Sequence, residues 1–433
     1  MGFDEMGSAT QGTASGTRSK TTMNRIVIGF VTIGLVGGSV VASGEEAAPY
    51  TVEWKSGLRL ESADKAFKIR FGGRLQYDWT WASEDNRIRE EIGELKDGSE
   101  TRRARLYVSG TLYEVTDFKL QFDWAGGDSQ LKDGWLGLNN LPVYVKIGHF
   151  KEPFSLEELT SSKYVTFMER TPVVTAFAPS RNAGIGISST AMEKHMTWAI
   201  GGFRITDNQG SVIDDDSYSG AARVTGTPFY DDSGKRLLHF GGSGGFRKLP
   251  GAIRFNARPP IHNTDQIIDS QATVTDPVTG EEMTMGINGD DAWSWGLESA
   301  FVQGPISIQG EVIWAYVDVT DGTDFDGVGW YAQVSYFLTG EHRPYNQKSG
   351  AFGGVKPNEN YGKGGRGAWE VAARYDWLDL TDAEAVGGEL QDVSIGINWY
   401  LNPAVRLSAN YIYTDREDLG EVQFVGGRAQ VAF

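Results

Sequence analysis

Val422-Gln423-Phe424-Val425-Gly426-Gly427-Arg428-Ala429-Gln430-Val431-Ala432-Phe433 alternates in character along its whole length. Counting back from Phe433, Val431, Ala429, Gly427 and Val425 share one face, and Ala432, Gln430, Arg428 and Gly426 share the other. Successive side chains of a β-strand point to opposite faces, so one face is small or apolar and the other is polar and cationic. A half-buried strand of a soluble sandwich alternates in the same way, and this stretch alone leaves both readings open. An aromatic at the end of such a strand fits a membrane-spanning barrel, where aromatic girdles mark the two interfaces.

Repetition favours the barrel. Val405, Leu407, Ala409, Tyr411 and Tyr413 oppose Arg406, Ser408, Asn410 and Thr414. Val393, Ile395, Ile397, Trp399 and Leu401 oppose Ser394, Gly396, Asn398 and Tyr400, and Trp369 to Trp377 repeats the pattern. Trp330 to Leu338, Ile306 to Tyr316, Trp293 to Phe301 and Phe67 to Trp81 do the same. Trp and Tyr gather at the strand ends, where interfacial belts place them. The reading is an all-β fold, a transmembrane antiparallel β-barrel of about 16 strands.

The only apolar run approaching the roughly 18 residues of a membrane helix is Ile26 to Val41. It follows Met23-Asn24-Arg25 and precedes Ala42-Ser43-Gly44, the order of a secretory signal peptide. Residues 1–22 then read as a disordered leader or misassigned start, 23–44 as the signal, and 45–433 as one barrel domain in the bacterial outer membrane. The chain has no cysteine, which excludes disulfides, thiol chemistry and lipid attachment at a cysteine.

Strands are expected near 66–81, 100–115, 117–125, 130–140, 142–151, 183–192, 196–206, 218–227, 237–248, 291–303, 305–318, 324–338, 366–377, 390–402, 403–415 and 421–433. Turns such as Asn139-Asn140-Leu141-Pro142 and Gln303-Gly304-Pro305 are short, whereas 82–99, 152–182 and 249–290 are long loops. Residues 339–367 fall where a short periplasmic turn belongs. A long excursion without its own secondary structure is usually functional or disordered, and a flexible loop is the alternative here. Its charges favour cations, Arg343, Lys348, Lys356, Lys363 and Arg366 against Glu341 and Glu359, so it is expected to fold back into the pore mouth.

The formal net charge of −17 suggests a cation-preferring pore, but sorting the charges by face reverses that. Alternation aims Lys68, Arg70, Arg74, Arg103, Arg105, Lys119, Lys146, Arg223, Arg247, Arg374, Arg406 and Arg428 at the lumen. The acids aimed there are fewer: Asp78, Asp123, Asp133, Glu298, Glu311, Glu370 and Asp376. Lining charges outweigh net charge in selecting ions. An anion pathway is expected, although some of these arginines would serve to brace the wall against the carboxylates.

Trp54-Lys55-Ser56-Gly57-Leu58-Arg59-Leu60-Glu61, Gly72-Gly73-Arg74-Leu75-Gln76, Arg102-Arg103-Ala104-Arg105-Leu106 and Ser161-Ser162-Lys163-Tyr164-Val165-Thr166-Phe167-Met168-Glu169-Arg170 follow one another along the mature chain. Leu338-Thr339-Gly340-Glu341, Gly367-Ala368-Trp369-Glu370 and Asn398-Trp399-Tyr400 continue the series. In the order and spacing of these stretches the mature chain resembles the phosphate-selective porin O/P family, and this resemblance carries expectations. It implies a trimeric outer-membrane barrel whose third loop, fifth loop and one long turn fold into the lumen. It also implies an oxyanion site of Arg74, Arg102, Arg103, Asp133, Ser162 and Lys163, with Arg254 and Arg258 as a short arginine ladder in the fifth loop. Guanidinium forks suit a tetrahedral anion. Where phosphate-specific members carry a further lysine, this chain has Glu158, a change expected to weaken the cationic funnel.

The function these features imply is anion-preferring diffusion of phosphate or a related small oxyanion; the alternative is a general porin for small solutes. Partners would be small anions, outer-membrane lipid and two further copies of the chain, with no nucleic acid, metal or cofactor. Enzymatic and purely structural barrels are the other classes considered. His149, His195, His239, His262 and His342 are scattered and form no Ser-His or HExxH arrangement. Gly241-Gly242-Ser243-Gly244-Gly245 reads as a closely packed strand and not as a nucleotide loop.

Overall fold

The computed structural model describes Tyr50–Phe433 except 96, 250–251, 271, 276–281, 286, 320–321, 363, 383–384 and 418. The leader and signal segment expected at 1–44 lie outside the described residues. Sixteen long strands among the described residues form a closed antiparallel sheet. They are β1 Phe67–Glu84, β2 Gly98–Leu112, β3 Thr116–Asp123, β4 Gln130–Leu138, β5 Tyr144–Lys151, β6 Arg181–Ala191, β7 Met196–Arg204 and β8 Tyr218–Asp231. The ring continues with β9 Arg236–Lys248, β10 Ile287–Gln303, β11 Ile306–Val319, β12 Phe325–Phe337, β13 Ala368–Asp382, β14 Ala385–Asn402, β15 Val405–Arg416 and β16 Gly420–Ala432.

Each strand pairs with its chain neighbour, and β16 returns to β1, from Val422 opposite Glu84 to Ala432 opposite Arg74. Closure satisfies the backbone without leaving a sheet edge in lipid. Side-chain alternation does the sorting. Leu75, Trp79, Trp81, Val425 and Val431 are exposed on the outside, while Arg74, Gln76, Asp78, Arg428 and Gln430 are buried within.

The structure adds a hairpin before the first expected strand, Tyr50–Trp54 with Leu58–Ser62. Its second arm pairs Leu58–Glu61 with Phe71–Lys68, covering the length of β1 that extends past the end of β16. Trp54 stacks on Phe433 with ring centroids 5.9 Å apart, securing the seam.

Three segments fill the lumen. The loop between β5 and β6 carries two short helices, α2 Leu156–Leu159 and α3 Pro172–Phe177; α1, Asn86–Glu91, lies in the loop between β1 and β2. Thr171 caps α3 by accepting from Val174 N at 3.1 Å, with Pro172 at the first helical position. Glycines facing the lumen are the sockets for this loop. A Cβ on Gly296 would lie 3.4 Å from Phe154, on Gly396 3.2 Å from Phe167, on Gly329 2.9 Å from Val173, and on Gly327 3.1 Å from Phe177. Burying each such side chain contributes roughly 1.5–3 kcal/mol to docking.

The fifth loop adds Phe255, whose ring lies 5.4 Å from Phe177 and 5.6 Å from Phe325. The turn after β12 also folds inward. Tyr345, Ala351 and Phe352 bury against Leu156 of α2, and Arg343 donates to Gln309 of β11 at 2.6 Å. In the glycine-rich stretch of β9 a Cβ on Gly241 would meet the Glu298 side chain and one on Gly245 would lie 3.6 Å from Phe154, whereas Gly244 has open space.

Candidate functional site at the lumen constriction

β1 directs Arg70, Arg74, Gln76 and Asp78 inward at alternate positions, and β2 does the same with Arg103, Arg105 and Tyr107. Strict alternation would turn Arg102 outward. The β1–β2 register shifts between Gln76 and Tyr77, so Gln76 faces Arg103 and Tyr77 faces Thr101. Arg102 is the extra residue of a β-bulge, the device by which a strand re-aims a side chain. A second bulge at Lys132 between β3 and β4 places Lys132 beside Asp133.

The inward loop divides these cations into two groups. In the first, Glu169 receives Arg102 through Nε at 2.9 Å and Nη2 at 3.0 Å, and Arg103 through Nη1 at 3.1 Å and Nη2 at 3.0 Å. Arg428 of β16 donates to the same carboxylate at 2.5 Å and holds Asp78 at 2.6 and 2.7 Å. In the second group, Arg74 donates to the Ser162 hydroxyl at 2.6 Å. The Lys163 ammonium lies over the rings of Tyr164, at 5.1 Å, and Tyr107, at 5.9 Å. Arg70 and Lys119 also approach the Tyr107 ring, at 5.6 and 5.5 Å. No ion pair of Lys163 is found among the described residues. Burial, reinforced by the charges of Arg74, Arg70 and Lys119, pushes its ammonium down to about 7.

Gln76 joins the two groups. Its Oε1 accepts from Arg103 at 2.9 Å and its Nε2 donates to the Ser162 carbonyl at 3.2 Å. Asp133 accepts from Lys119 at 2.6 Å and Arg181 at 3.2 Å, so it balances two cations at the rim of the second group. The structure therefore brings Arg74, Ser162 and Lys163 together, sets Arg102 and Arg103 around Glu169, and places Asp133 between neighbouring strands.

The fifth-loop arginines are elsewhere. Arg254 is ion-paired with Asp269 of its own loop, with Nε–oxygen distances of 3.0 Å, and Arg258 has a buried Nε without a partner. Glu158, the residue expected to weaken the cationic funnel, is buried on α2, where its carboxylate meets Lys151 at 2.8 Å and Arg170 at 3.1 Å. Burial alone would raise its pKa, but those two cations hold it down to about 2. It acts by neutralising Lys151 and Arg170.

Reasoning from the sequence did not single out Glu169, Lys132, Arg181 or Tyr107. Glu169 lies within the quoted loop motif, and Tyr107 has the inward parity of Arg103 and Arg105; those were the available signals. Among the described residues no group of three His, Cys, Asp or Glu is arranged to hold a metal ion.

Residues 69–433 match the family Phosphate-selective porin O and P. The chain belongs to that family. It is 29% identical over 407 residues to Porin O of Pseudomonas aeruginosa, covering 87% of this chain and 88% of that one. Among solved structures it is similar in fold to OmpT of Vibrio cholerae in its trimer form, with TM-score 0.55, 12% identity, and 85% of this chain and 100% of that one covered. The anion-selective porin from Comamonas acidovorans gives TM-score 0.52 at 13% identity, with the same coverage of 85% and 100%. The closed barrel and the family together make this chain an outer-membrane porin.

Proposed function

We propose that the porin is an anion-preferring diffusion channel for phosphate or a related small oxyanion. The observation that carries this reading is the second cationic group, where Arg74, Ser162, Lys163 and Arg70 converge around Tyr107 beneath an inward loop. An oxyanion passing there exchanges part of its hydration for a guanidinium fork, a hydroxyl and an ammonium. Such charge-assisted bonds are about twice as strong as neutral ones. Asp133, held by Lys119 and Arg181, limits the net charge, so the ion is bound weakly enough to leave.

A second reading, a general porin without phosphate specificity, is favoured by the occupation of Arg102, Arg103 and Arg428 by Glu169. The family resemblance also supports a homotrimer, and the basic flank, apolar core and small residues at 23–44 support a secretory signal. The test is planar-bilayer recording. A reversal potential in a potassium chloride gradient should show anion preference, and added phosphate should then block the chloride current in a concentration-dependent way. Anion preference without block supports the general porin. Absence of anion preference overturns both the anion pathway and its phosphate form.

A further inference from the structure

We infer that Glu169 is a tethered competitor anion, a carboxylate carried by the inward loop that occupies the arginine cluster and so sets how weakly the constriction holds a passing oxyanion. This inference rests on the anion-channel reading and deepens it by naming a residue that governs specificity.

The geometry of the carboxylate comes first. Oε1 accepts from Arg102 Nε, Arg103 Nη1 and Arg428 Nη2, and Oε2 accepts from Arg102 Nη2 and Arg103 Nη2. Two bidentate forks close on one carboxylate, the arrangement guanidinium groups use to capture carboxylate or phosphate ligands. Burial alone would raise the pKa of Glu169, but the three arginines hold it well below the usual carboxylate range, so the carboxylate form is the one they clasp.

Charge balance points the same way. Arg428 already has Asp78 as a bidentate partner. Glu169 is left as the hydrogen-bonded counter-charge of both Arg102 and Arg103, with Glu100, itself bonded to His262, as the next acid near Arg102. The Glu169 and Arg102 side chains retain 13% and 18% of their exposure, so an oxyanion in the lumen can reach the pair.

The loop does not depend on this carboxylate to stay in place. Met168 N donates to Asn410 at 2.8 Å, the Val165 carbonyl accepts from Arg406 at 2.8 Å, and the Thr166 carbonyl accepts from Asn398 at 2.9 Å. Phe167 sits in the Gly396 socket, and Met168 packs over Gly426. A side chain needed only for docking would be redundant beside these anchors. One that competes with the permeating ion would not.

Glu169→Gln keeps the shape and removes the charge. Phosphate should then block chloride current at about tenfold lower concentration than in the parent porin, and the reversal potential should move further toward anion preference. Unchanged or weaker block in a folded barrel overturns the inference. If glutamine frees the loop, seen as a jump in conductance, Glu169→Asp decides. Its shorter side chain cannot hold both forks, so tighter block supports competition and unchanged or weaker block overturns it. The underlying reading fails separately: a parent porin without anion preference in the salt gradient sinks the anion channel before either variant is compared.

Discussion

On β1 to β5 the inward side chains are largely basic, with Arg70, Arg74, Arg103, Arg105, Lys119, Lys132 and Lys146 facing the lumen. On β10 to β14 they are largely acidic or apolar. Glu298, Glu311, Glu370, Asp376 and Asp392 are all buried there, and Ile313, Val317, Leu378 and Leu380 bury beside them. The inward and fifth loops bury Val173, Phe177 and Phe255 on this second side, while Ser162 and Glu169 of the inward loop reach across to the basic side. The carboxylates of the second side are taken up by partners within the protein. Glu311 accepts from the backbone N–H groups of Leu156 and Glu157 at 3.0 and 2.7 Å, and Glu298 pairs with Arg223 at 2.5 Å. On the basic side Arg74 and Arg103 are covered by the inward loop, while Arg70, Lys119, Lys132 and Lys146 stay partly open. A chain of net charge −17 can therefore line its pathway with cations, because a carboxylate covered by protein and paired there contributes little to the field an ion meets.

The most severe way to break this contrast is Glu311→Leu. It orphans two buried N–H groups at the start of α2, at a cost of about 1–3 kcal/mol each. The loop should loosen while the closed sheet persists, so single-channel conductance should rise and ion preference weaken only as the constriction opens. A shifted reversal potential at unchanged conductance would mean instead that Glu311 faces the pathway and that the acidic side is not sealed.

Next in size is the double change Arg74→Ala and Arg103→Ala. If the basic side serves conduction, barrel yield and heat resistance should be preserved, since closed backbone pairing supplies the stability. Anion-over-cation selectivity should fall by about tenfold, the equivalent of about 1.4 kcal/mol. Normal selectivity in a folded double variant would assign both arginines to bracing the wall.

The same contrast explains what was legible in the sequence. Where lipid meets one face and water or polar groups the other, alternation with a period of two is enforced, and the strands on the basic side and near the chain end could be read directly. On β13 the inward Leu378 and Leu380 bury against the loops while Asp379 and Thr381 point outward, so the alternation reverses its sense; the strand runs to Asp382, beyond the expected 377. Bulges hide residues in another way. Arg102 was reached only through the family resemblance, and Lys132 was missed, because a shift in register leaves no periodic signal. The clasp of Glu169 was out of reach for a third reason. Its partners Arg103 and Arg428 stand 66 and 259 residues away along the chain, and only the docked loop brings them together.

A gentler probe is pH. Lys163 titrates near 7, charged below that value and neutral above it. Anion preference should therefore be full at about pH 6 and decline by about pH 8, a several-fold change, as this one ammonium is lost from the basic side. Lys163→Arg should flatten the profile at its high level, because a guanidinium stays protonated throughout. A parent profile that is flat over this range, or one that arginine leaves unchanged, would move the titrating charge away from Lys163.

The smallest effect is expected at Arg254, the residue the resemblance places in a cationic ladder. Its guanidinium is paired with Asp269, and the two side chains keep 46% and 22% of their exposure. Exposed pairs of this kind are worth about 0–1 kcal/mol, and a cation already matched by its neighbour adds little to the potential in the lumen. Arg254→Ala should leave selectivity and phosphate block as they are, with at most a slight change in fifth-loop order visible by hydrogen exchange. Asp269→Asn provides the converse: by unmasking Arg254 it should raise anion preference slightly at low ionic strength and lose that gain in high salt, where screening reaches about 3 Å. A clear loss of anion preference in Arg254→Ala would show that the ladder acts at a distance in spite of its partner, and the boundary between conducting and anchoring charges would then extend into the fifth loop.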